Sequence, residues 1–187
     1  MSPPAAPSAT STTGDLPRVT LVLGGARSGK SRFAELLVAS HDGGHAYVAT
    51  AEPGDAEMAE RIRRHRARRG AAWKNIEEPV DLPRALATAT ADGAAALVDC
   101  LTLWLSNLMA AGHDVEARTA TLIQGLPRLR GPVVFVSNEV GLGIVPDNAL
   151  ARTFRDHAGE LHQAIAAAAD RVYVVTAGLP QLLKDSR

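Results

Sequence analysis

Apolar side chains along this chain fall in short, nearly continuous runs separated by polar stretches. Val19, Leu21, Val22 and Leu23 form the first run, which stops at Gly24-Gly25 and predicts a strand buried on both faces. Ala46 to Thr50 reads as a second strand, and Ala94 to Val98, Pro132 to Val136 and Arg171 to Thr176 as three more. Helical patterns lie between them. Ser31 to Ser40 predicts a helix with Phe33, Leu36 and Leu37 inward, and Ala56 to Arg69 a second one, very rich in arginine. Leu150, Phe154, Leu161 and Ile165 recur at spacings of four, seven and four, which predicts a long amphipathic helix with Asp147 placed to cap it. Strands alternating with helices imply a parallel sheet covered on both faces through right-handed crossovers.

Length and composition narrow this further. At 187 residues, one compact domain is the default. Pro, Ala, Ser and Thr dominate residues 1–16, so these are expected to form a disordered tail ahead of a single domain over 17–187. Lys plus Arg total 20 and Asp plus Glu total 20, a zero balance that argues against a general nucleic-acid or membrane-surface binder. No apolar run is long enough to span a membrane, and no secretory leader is recognisable. Cys100 is the only cysteine, so no internal disulfide can form. The expected location is the cytoplasm.

Gly24-Gly25-Ala26-Arg27-Ser28-Gly29-Lys30-Ser31 matches G-x-x-x-x-G-K-[ST] at every fixed position, between a predicted buried strand and a predicted helix. In such a loop the glycines let backbone N–H groups approach phosphate oxygens, and the helix that follows adds the positive end of its dipole. Lys30 would bridge the terminal phosphates, and Ser31 would take one position on Mg²⁺. A Gly-rich turn could match by accident, but both flanks are those a phosphate loop requires. Mg²⁺ on a triphosphate usually takes an acidic group from a neighbouring strand end. Asp99, directly after the run Ala94 to Val98, fits that place; it could equally cap the segment that follows. Cys100 beside it reads as buried packing rather than as a nucleophile.

Arg61 to Arg69 carries six arginines in nine residues, with His65 among them. Guanidinium groups at that density repel one another, and a polyphosphate would relieve the repulsion through paired hydrogen bonds. Neighbouring positive charge favours a neutral, nucleophilic imidazole, which could attack a nucleotide α-phosphorus and expel pyrophosphate. A solvated basic face, or a structural histidine, accounts for the same residues. Asn138 and Glu139, just past the run Pro132 to Val136, stand where a parallel sheet opens its ligand crevice. They are candidates for substrate contacts, and an Asn138 turn with a Val140-Gly143 loop is the competing reading.

Together these segments resemble the bifunctional adenosylcobinamide kinase / adenosylcobinamide-phosphate guanylyltransferase family. The likeness is carried by Gly24 to Arg32, Tyr47-Val48-Ala49-Thr50-Ala51, Glu57 to Ile62 running into His65-Arg66, and Trp73 with Ile76-Glu77-Glu78-Pro79. It continues through Asp99-Cys100-Leu101-Thr102, Asn107-Leu108 and Val136 to Pro146, and on to Asp156, covering about residues 18 to 180. The resemblance implies an α/β fold of the P-loop NTPase type, a RecA-like three-layer arrangement of a mostly parallel sheet with helices on both faces. Residues 17–187 would then be one P-loop nucleotide-binding catalytic domain.

It also implies two reactions. One phosphorylates the aminopropanol arm of adenosylcobinamide from ATP or GTP. The other transfers GMP from GTP onto that phosphate through a histidine, which the match puts at His65. Ala49, Thr50, Ala51, Arg66, Ala67, Arg68, Arg69, Glu77 and Asp99 would contact the guanine nucleotide, alongside Gly24 to Ser31. Ser31 and Asp99 would be the metal ligands, although Asp99 stands where several relatives carry the longer Glu. The substrate would be the corrinoid, with no nucleic acid and no membrane span. A homo-oligomer is implied, a trimer being one form, and no residue pattern here establishes the number. Two other functions fit the loop and the arginines: a P-loop small-molecule kinase without nucleotidyl transfer, and a GTP-dependent or nucleic-acid-binding module.

Overall fold

A computed structural model describes residues 16–51 and 72–186. The arginine-rich segment predicted as a helix over Ala56 to Arg69, and residues 1–15 of the predicted tail, lie outside the described residues.

In chain order the elements are β1 (Val19–Gly24), α1 (Lys30–Ala39), β2 (His45–Ala49), β3 (Trp73–Glu77), α2 (Leu82–Ala89) and β4 (Ala95–Asp99). Then come α3 (Leu101–Ala110), α4 (Val115–Gly125), a 3-10 turn (Leu126–Arg128), β5 (Val133–Asn138), α5 (Ala149–Ala168), β6 (Arg171–Thr176) and β7 (Leu179–Asp185). The seven strands form one sheet in the order β3-β2-β4-β5-β1-β6-β7. Every neighbouring pair is parallel except β6 with β7. All five strands predicted from apolar runs are present, because each contributes side chains to both faces at once.

That two-sided burial is visible residue by residue. Leu21, Val48, Val98 and Phe135 enter one core, which α2, α3, α4 and α5 cover with Leu86, Trp104, Leu122 and Ile165. Val22, Leu97, Val134 and Val136 enter the other, which α1 covers with Ala34 and Val38. The described helices thus sit on both faces, giving three layers. Phe135 is wholly enclosed, and its truncation to Ala would cost about 3–5 kcal/mol through lost burial and a cavity. Trp104, equally enclosed, donates its indole N–H to the Val80 carbonyl at 2.8 Å.

Three details differ from the sequence pattern. Leu36 points outward and is 63% exposed, because the buried stripe of α1 runs through Lys30, Ala34 and Val38, with Phe33 and Leu37 flanking it half-buried. Leu150 is 71% exposed, since packing on α5 begins one turn later at half-buried Phe154 and full burial only at Ala158, running on through Leu161, His162 and Ile165. The cap of α5 is Asn148, not Asp147: its side-chain oxygen accepts the Ala151 N–H at 2.7 Å.

Register sets the shape of the carboxyl edge. Glu77, Ala49 and Asp99 end β3, β2 and β4 at one level. Asp99 is level with Val136, which is level with Val22, so β1 and β5 run two residues further, to Gly24 and Asn138. On the other side of β1, Thr176 and Leu179 close a two-residue turn. Ala177 and Gly178 both have positive φ there, 52° and 82°, the mirror-image turn whose twist suits a hairpin.

Candidate functional site

The site is built where β1 ends. Because β1 lies between β5 and β6 in the middle of the sheet, the loop from Gly24 to Gly29 emerges at the carboxyl edge, where parallel sheets bind ligands. Gly24 is needed for space: a Cβ there would lie 2.6 Å from both the Val175 carbonyl and Ser28 Oγ. Gly29 is needed for conformation, with φ of +95° at the residue that caps α1. Ala26 and Arg27 are exposed, Arg27 with a positive φ of 56°.

The loop is braced on three sides. The Ser28 N–H donates to the Gly25 carbonyl at 3.3 Å, closing a turn within it. The Gly178 N–H of the β6–β7 turn donates to the Ser28 carbonyl at 2.8 Å. The Glu139 N–H, following β5, donates to the Gly24 carbonyl at 3.0 Å. Lys30 opens α1 in a buried position, its Nζ donating to the Gly25 carbonyl at 3.1 Å, so its ammonium lies over the loop it would serve. Ser31, next in α1, is half-buried. Ser28 Oγ is buried with no hydrogen-bond partner.

The remaining predicted residues that are described fall on the same edge. Ala49 ends β2, Glu77 ends β3 and is exposed, and Asp99 ends β4 half-buried. Thr50 is wholly buried and acts as a strut between β2 and β4. Its hydroxyl donates to the Cys100 carbonyl at 2.7 Å and accepts the Cys100 N–H at 2.9 Å. The Asp99–Cys100 peptide between these partners is cis. Ala51 follows, half-buried. Glu78, next to Glu77, is engaged in structure: it accepts the N–H groups of Val80 and Asp81 and pairs with Arg84. Burial alone would raise its carboxyl, but those amides and the guanidinium outweigh it and hold the group below its ordinary value. His65, Arg66, Ala67, Arg68 and Arg69 lie outside the described residues.

Several residues named in the sequence only through the resemblance or as candidate contacts have a structural part. Asn107 donates through Nδ2 to the carbonyls of Thr50 (2.8 Å) and Pro79 (3.1 Å), pinning the chain that leaves β2 to the turn after β3. Asn138 donates to Thr102 Oγ1 at 2.9 Å, and Thr102 Oγ1 lies 3.1 Å from Cys100 Sγ. Burial pushes the Cys100 thiol up and the Asp99 charge adds to this, against the opposing pull of Thr102 and Lys30. A packing role for Cys100 agrees with that. An amide in the middle of the apolar α3 is a poor helix former with no reason to be there unless it bonds outside the helix, and this is the signal that could have found Asn107.

The arrangement can bind a polyphosphate through loop amides, the head of α1 and Lys30, with acidic groups on neighbouring strand ends. The architecture recurs in solved structures of distant sequence. The flagellar accessory protein FlaH from Methanocaldococcus jannaschii superposes with a TM-score of 0.54 at 13% identity, over 92% of this chain and 81% of that one. The RadB recombinase superposes with 0.51 at 16% identity, over 86% and 76%. Both share the RecA-like P-loop fold and nothing closer.

Sequence relatives are nearer. The bifunctional adenosylcobalamin biosynthesis protein CobP of Pseudomonas aeruginosa is 49% identical over 166 residues, 88% of this chain and 96% of its own length. The protein CobU of Salmonella typhimurium, with the same description, is 39% identical over 183 residues, 88% of this chain and 98% of its own. The sequence profile described as cobinamide kinase / cobinamide phosphate guanyltransferase matches residues 20–183, nearly everything that follows the N-terminal segment. On that match and those identities, the chain belongs to the cobinamide kinase / cobinamide phosphate guanyltransferase family.

Proposed function

We propose that this chain, by family a cobinamide kinase and cobinamide phosphate guanyltransferase of cobalamin biosynthesis, carries out two steps in sequence. It phosphorylates the hydroxyl of adenosylcobinamide from ATP or GTP, then transfers GMP from GTP onto the new phosphate and releases pyrophosphate. The observation that carries the reading is buried Lys30 at the head of α1, held over the braced loop Gly24–Gly29, with Asp99 at the end of β4, separated from β1 by β5 alone.

Phosphoryl transfer needs positioning and charge neutralisation more than covalent chemistry. The loop amides hold the phosphates, and Lys30 meets the charge that builds between the terminal pair. The Ser31 hydroxyl and Asp99 carboxylate are hard oxygen donors, and no cluster of three or more metal-binding side chains occurs among the described residues. That donor set suits an ion held largely by phosphate and water. Ser31 and Asp99 would hold Mg²⁺, which when bound neutralises phosphate charge.

Guanylyl transfer is drawn from His65 and its arginines. The neutral imidazole attacks the α-phosphorus of GTP, the bond to the bridging oxygen breaks, and pyrophosphate leaves with its electrons. The corrinoid phosphate then attacks the same phosphorus and frees the imidazole. Arg66, Arg68 and Arg69 offset the charge of the departing group, and Ala49, Ala51, Ala67, Glu77 and Asp99 border the guanine nucleotide, with Thr50 buried beneath them. The enzyme works in the cytoplasm as a homo-oligomer.

Incubation with GTP labelled at the α-phosphate tests this. An acid-labile, base-stable protein adduct is expected, lost in His65→Ala while much of the phosphorylation of cobinamide persists. No adduct on the unsubstituted protein would remove the guanylyl half and leave a plain kinase. Equal loss of both activities in a folded His65→Ala protein would remove His65 from its role.

A further inference from the structure

A second polar assembly lies behind the phosphate loop. Ser137 Oγ is 2.7 Å from His162 Nε2, and His162 Nδ1 faces Glu139 Oε2 at 3.9 Å. The order Ser-His-carboxylate is that of a hydrolase triad, yet Ser137 is wholly buried and no ester or amide could reach its oxygen. The assembly therefore opens at its other end. Glu139 is the half-buried member, its side chain 27% accessible beyond the end of β5.

Glu139 is also the member joined to the loop. Its N–H donates to the Gly24 carbonyl at 3.0 Å, fixing its backbone beside the first glycine. Its Oε1 accepts the Gly141 N–H at 2.6 Å, which leaves Oε2 on the His162 side. When the Ser137 hydroxyl donates to Nε2, the proton of His162 lies on Nδ1 and points toward Glu139 Oε2 from 3.9 Å, beyond hydrogen-bond length. Burial holds this imidazole neutral, with Glu139 opposing the effect. Other carboxylates at this edge stand elsewhere: Glu77 is on the outermost strand, Glu78 caps a turn, and Asp99 ends β4 two residues lower.

We propose that Glu139 is the catalytic base of the phosphoryl-transfer step, with His162 as the positioning residue whose Nδ1–H closes on the carboxylate when substrate is bound. This rests on the kinase reading above. As the substrate oxygen bonds to the terminal phosphorus, the bond from that phosphorus to the bridging oxygen breaks and its electrons leave with the nucleoside diphosphate. The alcohol proton passes to Glu139, which ends as the carboxylic acid and returns the proton to water. The buried serine and imidazole take no part in bond making.

The test follows transfer of labelled γ-phosphate from ATP and from GTP to cobinamide, with guanylyl transfer measured on the same preparations. Glu139→Gln should lower kcat for phosphorylation about 100-fold or more, the usual worth of a positioned base, while KM for the nucleotide changes less than about threefold. Guanylyl transfer should fall far less. His162→Ala should lower the same kcat about tenfold at unchanged KM, and His162→Asn, whose amide can replace Nδ1–H, should recover much of it. Unchanged phosphorylation in Glu139→Gln, or equal loss of both activities, would overturn the proposal, as would His162→Asn no better than His162→Ala. Absence of phosphorylation by the unsubstituted protein would instead remove the kinase reading beneath it.

Discussion

The Gly178 amide donates to the Ser28 carbonyl at 2.8 Å, so the tip of the β6–β7 hairpin is tied to the middle of the phosphate loop. The contact is close as well as polar: a Cβ on Gly29 would stand 3.2 Å from Gly178 Cα. Gly178 has φ of +82°, a conformation that a β-branched residue adopts only under strain. Gly178→Val is expected to cost about 1–2 kcal/mol and to weaken nucleotide affinity several-fold, read by urea midpoint and GTP titration. Gly159→Ala, in the interior of α5 with open space around it, should instead raise stability by about 0.5–1 kcal/mol.

Thr50 offers a sharper stability test. Its hydroxyl serves both the carbonyl and the N–H of Cys100, and all of these groups are buried. Thr50→Val keeps the shape and strands the Cys100 N–H, while the carbonyl keeps the Trp104 N–H at 3.1 Å, which should cost about 1–3 kcal/mol in denaturant unfolding. Thr50→Ser keeps the hydroxyl and should cost much less. Equal losses would show that packing, not the two hydrogen bonds, sets the value of this strut.

On the proposed reading both nucleotides use one loop, so Lys30→Ala should weaken triphosphate handling in both reactions. A hydrogen bond from an ammonium to phosphate is worth about 1.5–3 kcal/mol, so nucleotide affinity should fall on the order of 10- to 100-fold. The fold should persist, because Lys30 opens α1 and the apolar packing of that helix is carried by Ala34 and Val38 further along. Unchanged GTP affinity and turnover would contradict the role.

His162 gives a pH dependence of defined sign. Burial lowers its folded pKa below the ordinary 6.5, and the charged group facing it is Glu139 from the end of β5. Below 6.5 the unfolded chain binds a proton that the folded chain resists. The stabilising contribution is therefore complete above that value and is lost as pH falls toward the folded pKa. Urea midpoints from pH 7.5 to 5 should drop more steeply for the unsubstituted protein than for His162→Asn.

The central strands and the phosphate loop were legible in the sequence because burial on both faces writes a continuous apolar run, and because the loop depends on fixed glycines. The edge strands were not. β3 reads Trp-Lys-Asn-Ile-Glu and β7 Leu-Pro-Gln-Leu-Leu-Lys-Asp; each pairs on one side only, so polar residues and a proline cost them little. The offset from Asp147 to Asn148 has a similar cause, since two adjacent side chains can both cap and local geometry alone selects one. Leu36 and Leu150 keep helical spacing yet face outward, because periodicity gives a stripe but not how far along the helix a partner extends. At the site, the loop and Asp99 came from motif and strand end. The Thr50–Cys100 strut and the Ser137–His162–Glu139 assembly join residues 50 and 25 positions apart, and no local pattern reports such pairings.

The two-residue offset between neighbouring strand ends gives the binding rim a staircase profile. At about 3.3 Å per residue the riser is roughly 7 Å high, enough for one phosphate or a hydrated cation to sit on the lower tread. Asp99 stands on that tread and Glu139 on the upper landing, reached from Gly24. On the proposed roles, charge neutralisation and proton acceptance would fall at different heights, so that two carboxylates would serve one phosphorus from separate sides without competing for the same cation.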